Sequence, residues 1–166
     1  MKQIIGIMLL MLGRSVAAAD RPDDAVATAP LDVADIRHVM DAFHHAVTTH
    51  DGKGVCDLFL DHGSTWVTVL SDKAFAAAKA KNAAAQKVRV SSYQDFAAFV
   101  ASTKSVLDPR HDQVQIMSDG AVASVYFHFN FVINGKVENR GDETWQLVKT
   151  PDGWRILAIT YSSSPE

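Results

Sequence analysis

The amino-acid sequence predicts an α+β domain whose antiparallel sheet occupies the C-terminal end. Helical patterns come first, and four strand-like runs follow between Gln113 and Ser162, separated by the dipeptides Asp119-Gly120, Asn134-Gly135 and Asp152-Gly153. Asn-Gly and Asp-Gly tolerate the positive φ that tight hairpin turns require, so successive strands reverse direction. Helices segregated from an antiparallel meander are typical of the α+β class.

The N-terminus has the pattern of a secretory signal peptide. Met1-Lys2 is positively charged, Ile4–Leu12 is apolar but too short to span a bilayer, and Ala17–Ala19 offers small residues for cleavage before Asp20. We therefore expect residues 1–19 to be a signal peptide and the protein to be periplasmic or secreted. A buried N-terminal helix is the alternative interpretation of the same residues.

The remainder of the chain is predicted to be a flexible leader and one domain. Residues 20–30 are rich in Ala, Asp and Pro, and residues 31–166 are long enough to bury a core of their own. The net charge of −3 and the lack of a basic cluster argue against nucleic acid as a partner, and against a membrane once the signal peptide is cleaved. The single cysteine, Cys56, permits no intrachain disulfide and reads as a small buried residue.

Two helices and a strand begin the domain. Asp32 is an N-cap candidate for a first helix that runs to about His50 with an apolar stripe at helical spacing. Asp51 is predicted to cap a short second helix through residues 55–60. The run Ser64–Leu70 is predicted to be a strand because it is rich in β-branched side chains.

The middle of the chain is predicted to be less buried. Residues 72–87 have strong helix propensity but only one large apolar side chain, which indicates a solvent-exposed helix or a mobile excursion. Val88–Val90 is a candidate strand. Either Ser91 or Ser92 is expected to cap a third helix over Tyr93–Ser102. A loop around Pro109 should connect this helix to the sheet.

Four stretches have an order and spacing that match a known family. They are Thr49–Gly52 with Asp57–Asp61, Thr65–Val67, Ser118–Val125 and Glu143–Leu157. Together they resemble the nuclear transport factor 2-like superfamily, in particular its SnoaL-like bacterial branch. The resemblance implies a cone-shaped curved antiparallel sheet wrapped around three N-terminal helices, a cavity at its wide end and a homodimer through the exposed sheet face. A fold of this kind implies a pocket rather than a particular chemistry.

Alternation along one strand assigns two faces of the sheet. Phe127 and Phe129 lie on an apolar face, whereas Tyr126, His128 and Asn130 lie on the other. If the polar face lined the cavity, Tyr126 and His128 would polarise a substrate carbonyl. If it is the outer face, they belong to a dimer interface, where tyrosine is favoured. We favour the second assignment.

Glu143 and Trp145 are the pair of site residues that we single out. They lie two apart on one strand and so share a face with Leu147. A carboxyl group in an apolar cavity has its pKa raised by desolvation, which suits a general acid or base. The favoured alternative is a structural or ligand-anchoring carboxylate that accepts a hydrogen bond from the first helix or from Arg140. Trp145 would fit the core equally well.

The expected ligand-binding set combines these residues with others implied by the cone: Trp66, Phe99, His128, Glu143 and Trp145. The sequence has no HxH, HExxH or CxxC spacing and no Gly-rich phosphate loop, so we predict no metal and no cofactor. Trp154, which starts the last strand after a turn, is predicted to belong to the core.

Two functions from different classes fit these observations. The first is an exported domain that binds a small, largely apolar ligand in its cavity, or acts as a dimeric accessory module, without turnover. The second is a cofactor-free isomerase or hydrolase-like enzyme that uses Glu143 as general acid/base. The first is favoured, because the sequence offers a single inward carboxylate and no certain oxyanion donor.

Overall fold

The computed structural model describes residues 30–165. The predicted signal peptide and most of the predicted leader lie outside the described residues. Within that range, helices and strands follow one another as α1 Pro30–Thr48, α2 Gly52–Asp57, β1 Thr65–Leu70, α3 Asp72–Lys81, β2 Val88–Ser91, α4 Tyr93–Ser102, β3 Leu107–Ser118, β4 Val122–Ile133, β5 Lys136–Thr150 and β6 Gly153–Pro165.

The strands form one curved sheet in the order β2-β1-β6-β5-β4-β3. The predicted meander is confirmed, since β3 to β6 pair in sequence and antiparallel. Each predicted turn has a glycine at positive φ, with 91° at Gly120, 82° at Gly135 and 106° at Gly153. One pairing departs from the expected antiparallel sheet: β1 runs parallel to β6, with Trp66 opposite Ile159.

The helix boundaries confirm two predicted caps and correct a third. Asp51 caps α2 by accepting a 2.8 Å hydrogen bond from the Gly54 amide. Ser92 rather than Ser91 caps α4. Asp32 is not the cap of α1: it lies in the first turn of that helix, and its carboxylate accepts a 2.9 Å hydrogen bond from Lys149 Nζ.

The predicted loop around Pro109 is wrong, because these residues form the first half of β3. Strand β3 lies at one edge of the sheet, where a proline without an N–H donor is tolerated. The Pro109 carbonyl accepts a 2.8 Å hydrogen bond from His44 Nδ1, which joins this edge to α1. The predicted exposed helix is present as α3, in which no residue is buried.

The concave face of the sheet packs against α1, α2 and α4 around a core rich in aromatic rings. Phe127 and Trp145 are fully buried there, and Trp154 is 3% exposed, which confirms its assignment to the core. Tyr126 and His128 are half-buried on the opposite, convex face, so the favoured assignment of the two faces is confirmed. Among residues 30–165, no helix is both long and apolar enough to cross a membrane.

Candidate functional site

A cavity of about 720 Å³ lies between the concave face of the sheet and helices α1 and α4. Every strand of the sheet contributes to its wall, because the curvature of the sheet brings the two edge strands around the helices. The lining residues are Phe43, Trp66, Arg89, Ser91, Ser92, Asp95, Phe96, Phe99, Pro109, His111, Phe129, Phe131, Asn139, Glu143 and Tyr161.

Aromatic rings form most of the apolar wall and contact one another. Phe96 of α4 is at the centre: its ring centroid lies 4.8 Å from that of Trp66, 5.8 Å from Phe43 and 6.2 Å from Phe131. Tyr161 of β6 extends the wall, with its ring centroid 6.3 Å from that of Trp66. These packed rings give the cavity a preformed shape.

Glu143 brings a carboxyl group into this apolar wall. Its Oε1 accepts a short hydrogen bond from Trp145 Nε1. Burial raises the pKa of Glu143 from 4.5 to about 7, and the hydrogen bond from Trp145 opposes that rise only in part. Near neutral pH the carboxyl is therefore divided between its protonated and ionised forms, so it can donate or accept a hydrogen bond.

Trp145 positions this carboxyl group from behind the cavity wall. The indole is fully buried, with ring centroids 5.2 Å from Phe43 and 5.5 Å from Phe127, both in edge-on packing. We expected the donor to Glu143 to come from the first helix or from Arg140. The donor is instead Trp145, because residues two apart on a strand share a face and the long indole reaches back over its neighbour.

His111 is one of the cavity residues that the sequence patterns did not predict, and it is the one with a buried titratable ring. Its ring centroid lies 4.6 Å from that of Phe127 and 6.4 Å from that of Trp145. Burial, together with a smaller effect of the nearby His44, lowers the pKa of His111 to about 4, so the imidazole is neutral at neutral pH. Alternation of Leu107, Pro109 and His111 on one face would have revealed it, had this segment been assigned to a strand.

The rim of the cavity carries both signs of charge. Arg89 lies on β2 and shares its cavity-facing side with Ser91, whereas Asp95 lies in the first turn of α4. Asp95 Oδ2 accepts hydrogen bonds from the side chain and the backbone amide of Ser92, at 2.8 Å and 3.3 Å. The capping of α4 therefore also fixes the position of the acidic side of the rim.

The structure brings together three of the five residues expected to bind ligand. Trp66, Phe99 and Glu143 line the cavity, whereas Trp145 supports Glu143 from the core. His128 does not line this cavity, because Phe127 and Phe129 face inward and the residue between them faces outward. His128 instead contacts the carboxylate of Asp142 on the convex face, through its Nδ1. Binding of a ligand by the cavity residues stays a prediction.

Other candidate chemistries have less support in the described part of the chain. Over residues 30–165, no group of three or more His, Cys, Asp and Glu side chains is arranged to hold a metal ion. Burial raises the pKa of the Cys56 thiol, which disfavours the thiolate needed for nucleophilic attack.

No protein-family model matches the chain, and no curated protein matches it. Solved structures share its fold. A proposed dehydratase of the nuclear transport factor 2-like (NTF2-like) family from Streptomyces avermitilis has TM-score 0.60 and 18% identity, over 82% of this chain and 98% of that one. A proposed aromatic ring hydroxylase from Novosphingobium aromaticivorans has TM-score 0.59 and 20% identity, over 84% and 96%.

A third similar structure, an NTF2-like protein of unknown function from Shewanella baltica, has TM-score 0.57 and 13% identity, over 84% of this chain and 98% of that one. The chain thus has the NTF2-like fold expected from its sequence. At these identities the likeness concerns the fold and carries no activity with it. The SnoaL-like branch within this fold stays a prediction.

Proposed function

We propose that the protein binds a small, largely apolar molecule in its cone cavity, with Glu143 as the polar anchor. The observation that carries this proposal is a cavity of about 720 Å³ whose surface is mostly apolar, with Phe, Trp or Tyr at seven of its fifteen lining residues and with the polar side chains of Arg89, Ser91, Ser92 and Asp95 grouped on β2 and at the start of α4. Ligand sites in proteins have this composition: an apolar lining gives affinity, and a small number of placed polar groups gives orientation.

Glu143 suits the role of anchor because its own protein contacts leave it incompletely satisfied. Trp145 Nε1 supplies one hydrogen bond to Oε1. A carboxyl group has further acceptor sites when it is ionised, and a donor when it is protonated. A hydroxyl, carbonyl or amine on a ligand would satisfy those sites, whereas a purely apolar ligand would leave them without partners at a cost in affinity.

Binding can be tested with the neutral apolar dye Nile red and a pair of matched variants. Ser91 of β2 lines the cavity, so Ser91→Trp should fill part of its volume. Val90, its neighbour, is 75% exposed and projects from the other face of the same strand. We expect the dye to fluoresce with the native protein and with Val90→Trp, and to lose most of its fluorescence with Ser91→Trp. Equal dye binding by both variants would place the apolar site elsewhere.

The second candidate function is a cofactor-free acid–base catalyst, isomerase or hydrolase-like, that uses Glu143. The raised pKa of about 7 favours it, since a general base works best when its pKa lies near the working pH. Loss of water from a substrate needs the same kind of group, and a dehydratase activity is proposed for the Streptomyces avermitilis protein of this fold.

A reaction that needs only a buried base tests this candidate without knowledge of the substrate. In 5-nitrobenzisoxazole, a carboxylate removes the ring C–H proton while the N–O bond breaks, and the product is a coloured cyanophenolate. The ionised Glu143 is the active form, so the rate should rise with pH through about 7. Glu143→Gln should abolish it. A rate that is unchanged in Glu143→Gln would remove Glu143 as a general base.

We also propose that the protein is exported and that it forms a homodimer. The N-terminal pattern supports secretion, and the mixed polar and aromatic character of Tyr126 and His128 on the convex face supports a symmetric contact there. Both remain proposals, and an accessory role as a dimeric module is compatible with ligand binding in the cone. Intact mass of exported material starting at Asp20 would test the first.

A further inference from the structure

Within the described part of the chain, the Glu143 carboxyl group lies in a largely apolar cavity wall and forms no ion pair. Two influences act on its pKa, burial and the hydrogen bond from Trp145, and no neighbouring cation contributes. The ion pairs of the described residues, such as Lys149 with Asp32, involve other carboxylates. A buried carboxylate normally finds a cationic partner or takes up a proton. Among residues 30–165, no cationic side chain forms such a pair with Glu143.

The walls around this carboxyl group suit a positive charge. Phe43, Trp66, Phe96 and Tyr161 belong to the lining, and aromatic rings present a negative electrostatic face to a cation. Rings that pack edge-on or in offset stacks, as Phe96 does with its neighbours, are already ordered before a ligand enters. An ammonium group would gain from both the carboxylate and the ring faces.

The other titratable groups of the lining do not replace such a cation. Arg89 and Asp95 lie on β2 and α4 at the rim, with opposite charges. Tyr161 of β6 is a phenol, a group that carries no positive charge. Burial holds the pKa of His111 on β3 at about 4, so its ring is neutral there. Among the described lining residues inside the rim, only Glu143 therefore carries a charge once that group ionises.

We infer that the ligand is an organic cation, an ammonium group carried on an apolar or aromatic body, with the ammonium against Glu143 and the body against the ring wall. This inference rests on the proposed function and names the ligand class of the same site. It assigns Glu143 the role of specificity-determining residue. Neutral ligands can occupy the same walls, but they leave the ionised carboxylate without a partner.

The inference can be tested by isothermal titration calorimetry with matched probes. Tryptamine, tryptophol and indole-3-acetate share one ring system and differ in carrying a positive, a neutral and a negative group. Phenethylamine and phenethyl alcohol form a second, smaller pair. At about pH 7 we expect each amine to bind about ten-fold or more tightly than its alcohol, a ratio that a charge pair with ring contacts can supply.

Two variants separate the role of the carboxyl group from a general charge effect. Glu143→Gln keeps the shape of the side chain and should bring the amine and the alcohol to within about three-fold of each other. Asp142→Asn removes a carboxylate from the adjacent residue, which contacts His128 on the convex face, and should leave the preference unchanged. Nile red binding to each variant verifies that the cavity is intact.

Proton exchange gives a second readout on the native protein. With a pKa of about 7, Glu143 is about half protonated at about pH 7. Binding of an ammonium group stabilises the ionised carboxylate, so about half a proton per ligand should be released and detected as a dependence of the observed enthalpy on the buffer. A neutral acceptor that binds the protonated carboxyl would cause proton uptake instead. Glu143→Gln should show neither.

The outcomes distinguish failure of this inference from failure of the proposed function. Alcohols that bind as tightly as the amines would overturn the inference of a cationic ligand and leave the proposal of an apolar ligand site standing. Preference for indole-3-acetate, lost in Arg89→Ala, would overturn it in favour of an anionic ligand held at the rim. A cavity that takes up Nile red but none of the amines also overturns it. Failure of every probe, Nile red included, overturns both proposals.

Discussion

At the scale of a single residue, burial determines the pKa of the Glu143 carboxyl group. Its position on β5 places the carboxyl group in the cavity wall, and the fully buried indole of Trp145 holds it there. The folded state keeps its proton to a higher pH than the unfolded chain does, because ionisation in an apolar site is costly. Burial of this carboxyl group in the cavity wall therefore lowers the stability of the ligand-free protein once the group ionises.

This cost predicts a pH dependence of stability that Glu143→Gln removes. The pKa rises from 4.5 to about 7 on folding, so below 4.5 both states are protonated and no penalty exists. As pH rises through this window the unfolded chain releases its proton first, and native stability falls by up to about 3 kcal/mol. The lowered pKa of His111 gives both proteins a pH dependence of opposite sign, so the difference between the native protein and Glu143→Gln isolates this loss. In urea unfolding, the native protein should lose about 2–3 kcal/mol relative to the variant between about pH 5 and about pH 9. An equal loss in Glu143→Gln would contradict the assignment.

Trp154 gives a second prediction at this scale. The ring is 3% exposed and lies 5.4 Å from Lys149 Nζ, measured to the ring centroid. Its Nε1 has no hydrogen-bond partner in the described part of the protein. Packing of the ring, rather than a hydrogen bond, therefore accounts for its contribution to stability. Trp154→Ala should cost about 3–5 kcal/mol in denaturant unfolding. Trp154→Phe retains a ring and should cost less; a loss below about 1 kcal/mol for the alanine variant would show a dispensable ring.

At the scale of elements, the close pairing of β5 and β6 shapes the floor of the cavity. Gly141 lies in the row of β5 that includes Glu143, and a Cβ there would lie 2.1 Å from the Ser162 carbonyl oxygen. Ser162 also accepts a 2.9 Å hydrogen bond at its Oγ from the Asp142 amide. The absence of a side chain at Gly141 thus permits the close approach of β5 and β6 next to Glu143.

Gly141→Ala should therefore disturb both stability and the site. A backbone atom cannot move away as a flexible side chain can, so we expect a cost of at least about 1–3 kcal/mol, the range for overpacking. Glu138→Ala, at an exposed position of the same strand, is the matched control and should be near neutral. Denaturant midpoints compare the two. A neutral Gly141→Ala would mean that β5 and β6 separate freely at this point.

At the scale of the whole molecule, the sheet is covered by helices on its concave side, and strands β4 and β5 present Tyr126, His128 and Thr144 on the other. A half-apolar open sheet face is commonly buried in a symmetric contact. We expect the protein to sediment as a dimer at micromolar concentration. The substitution His128→Glu would place a second carboxylate beside that of Asp142 in this contact. The repulsion between like charges should shift the protein from dimer toward monomer. A native protein that sediments as a monomer contradicts the prediction.

The sequence by itself determined the meander, its turns and the two faces of its strands. These features are local: Asn-Gly and Asp-Gly set the reversals, and the period of two along a strand sets which side chains share a face. Glu143 was for that reason correctly placed inward with Trp145, and Trp154 in the core. The helix propensity of residues 72–87, with one large apolar side chain, predicted an exposed helix or a mobile excursion, and the structure has the helix as α3 over Asp72–Lys81.

The tertiary structure decided everything that depends on contacts between distant segments. The parallel pairing of β1 with β6, the entry of Pro109 into an edge strand and the arrival of His111 at the cavity each require a partner far along the chain. No local pattern encodes such a partner. The raised pKa of Glu143 likewise follows from its burial among side chains of several elements, which only the packed molecule brings together.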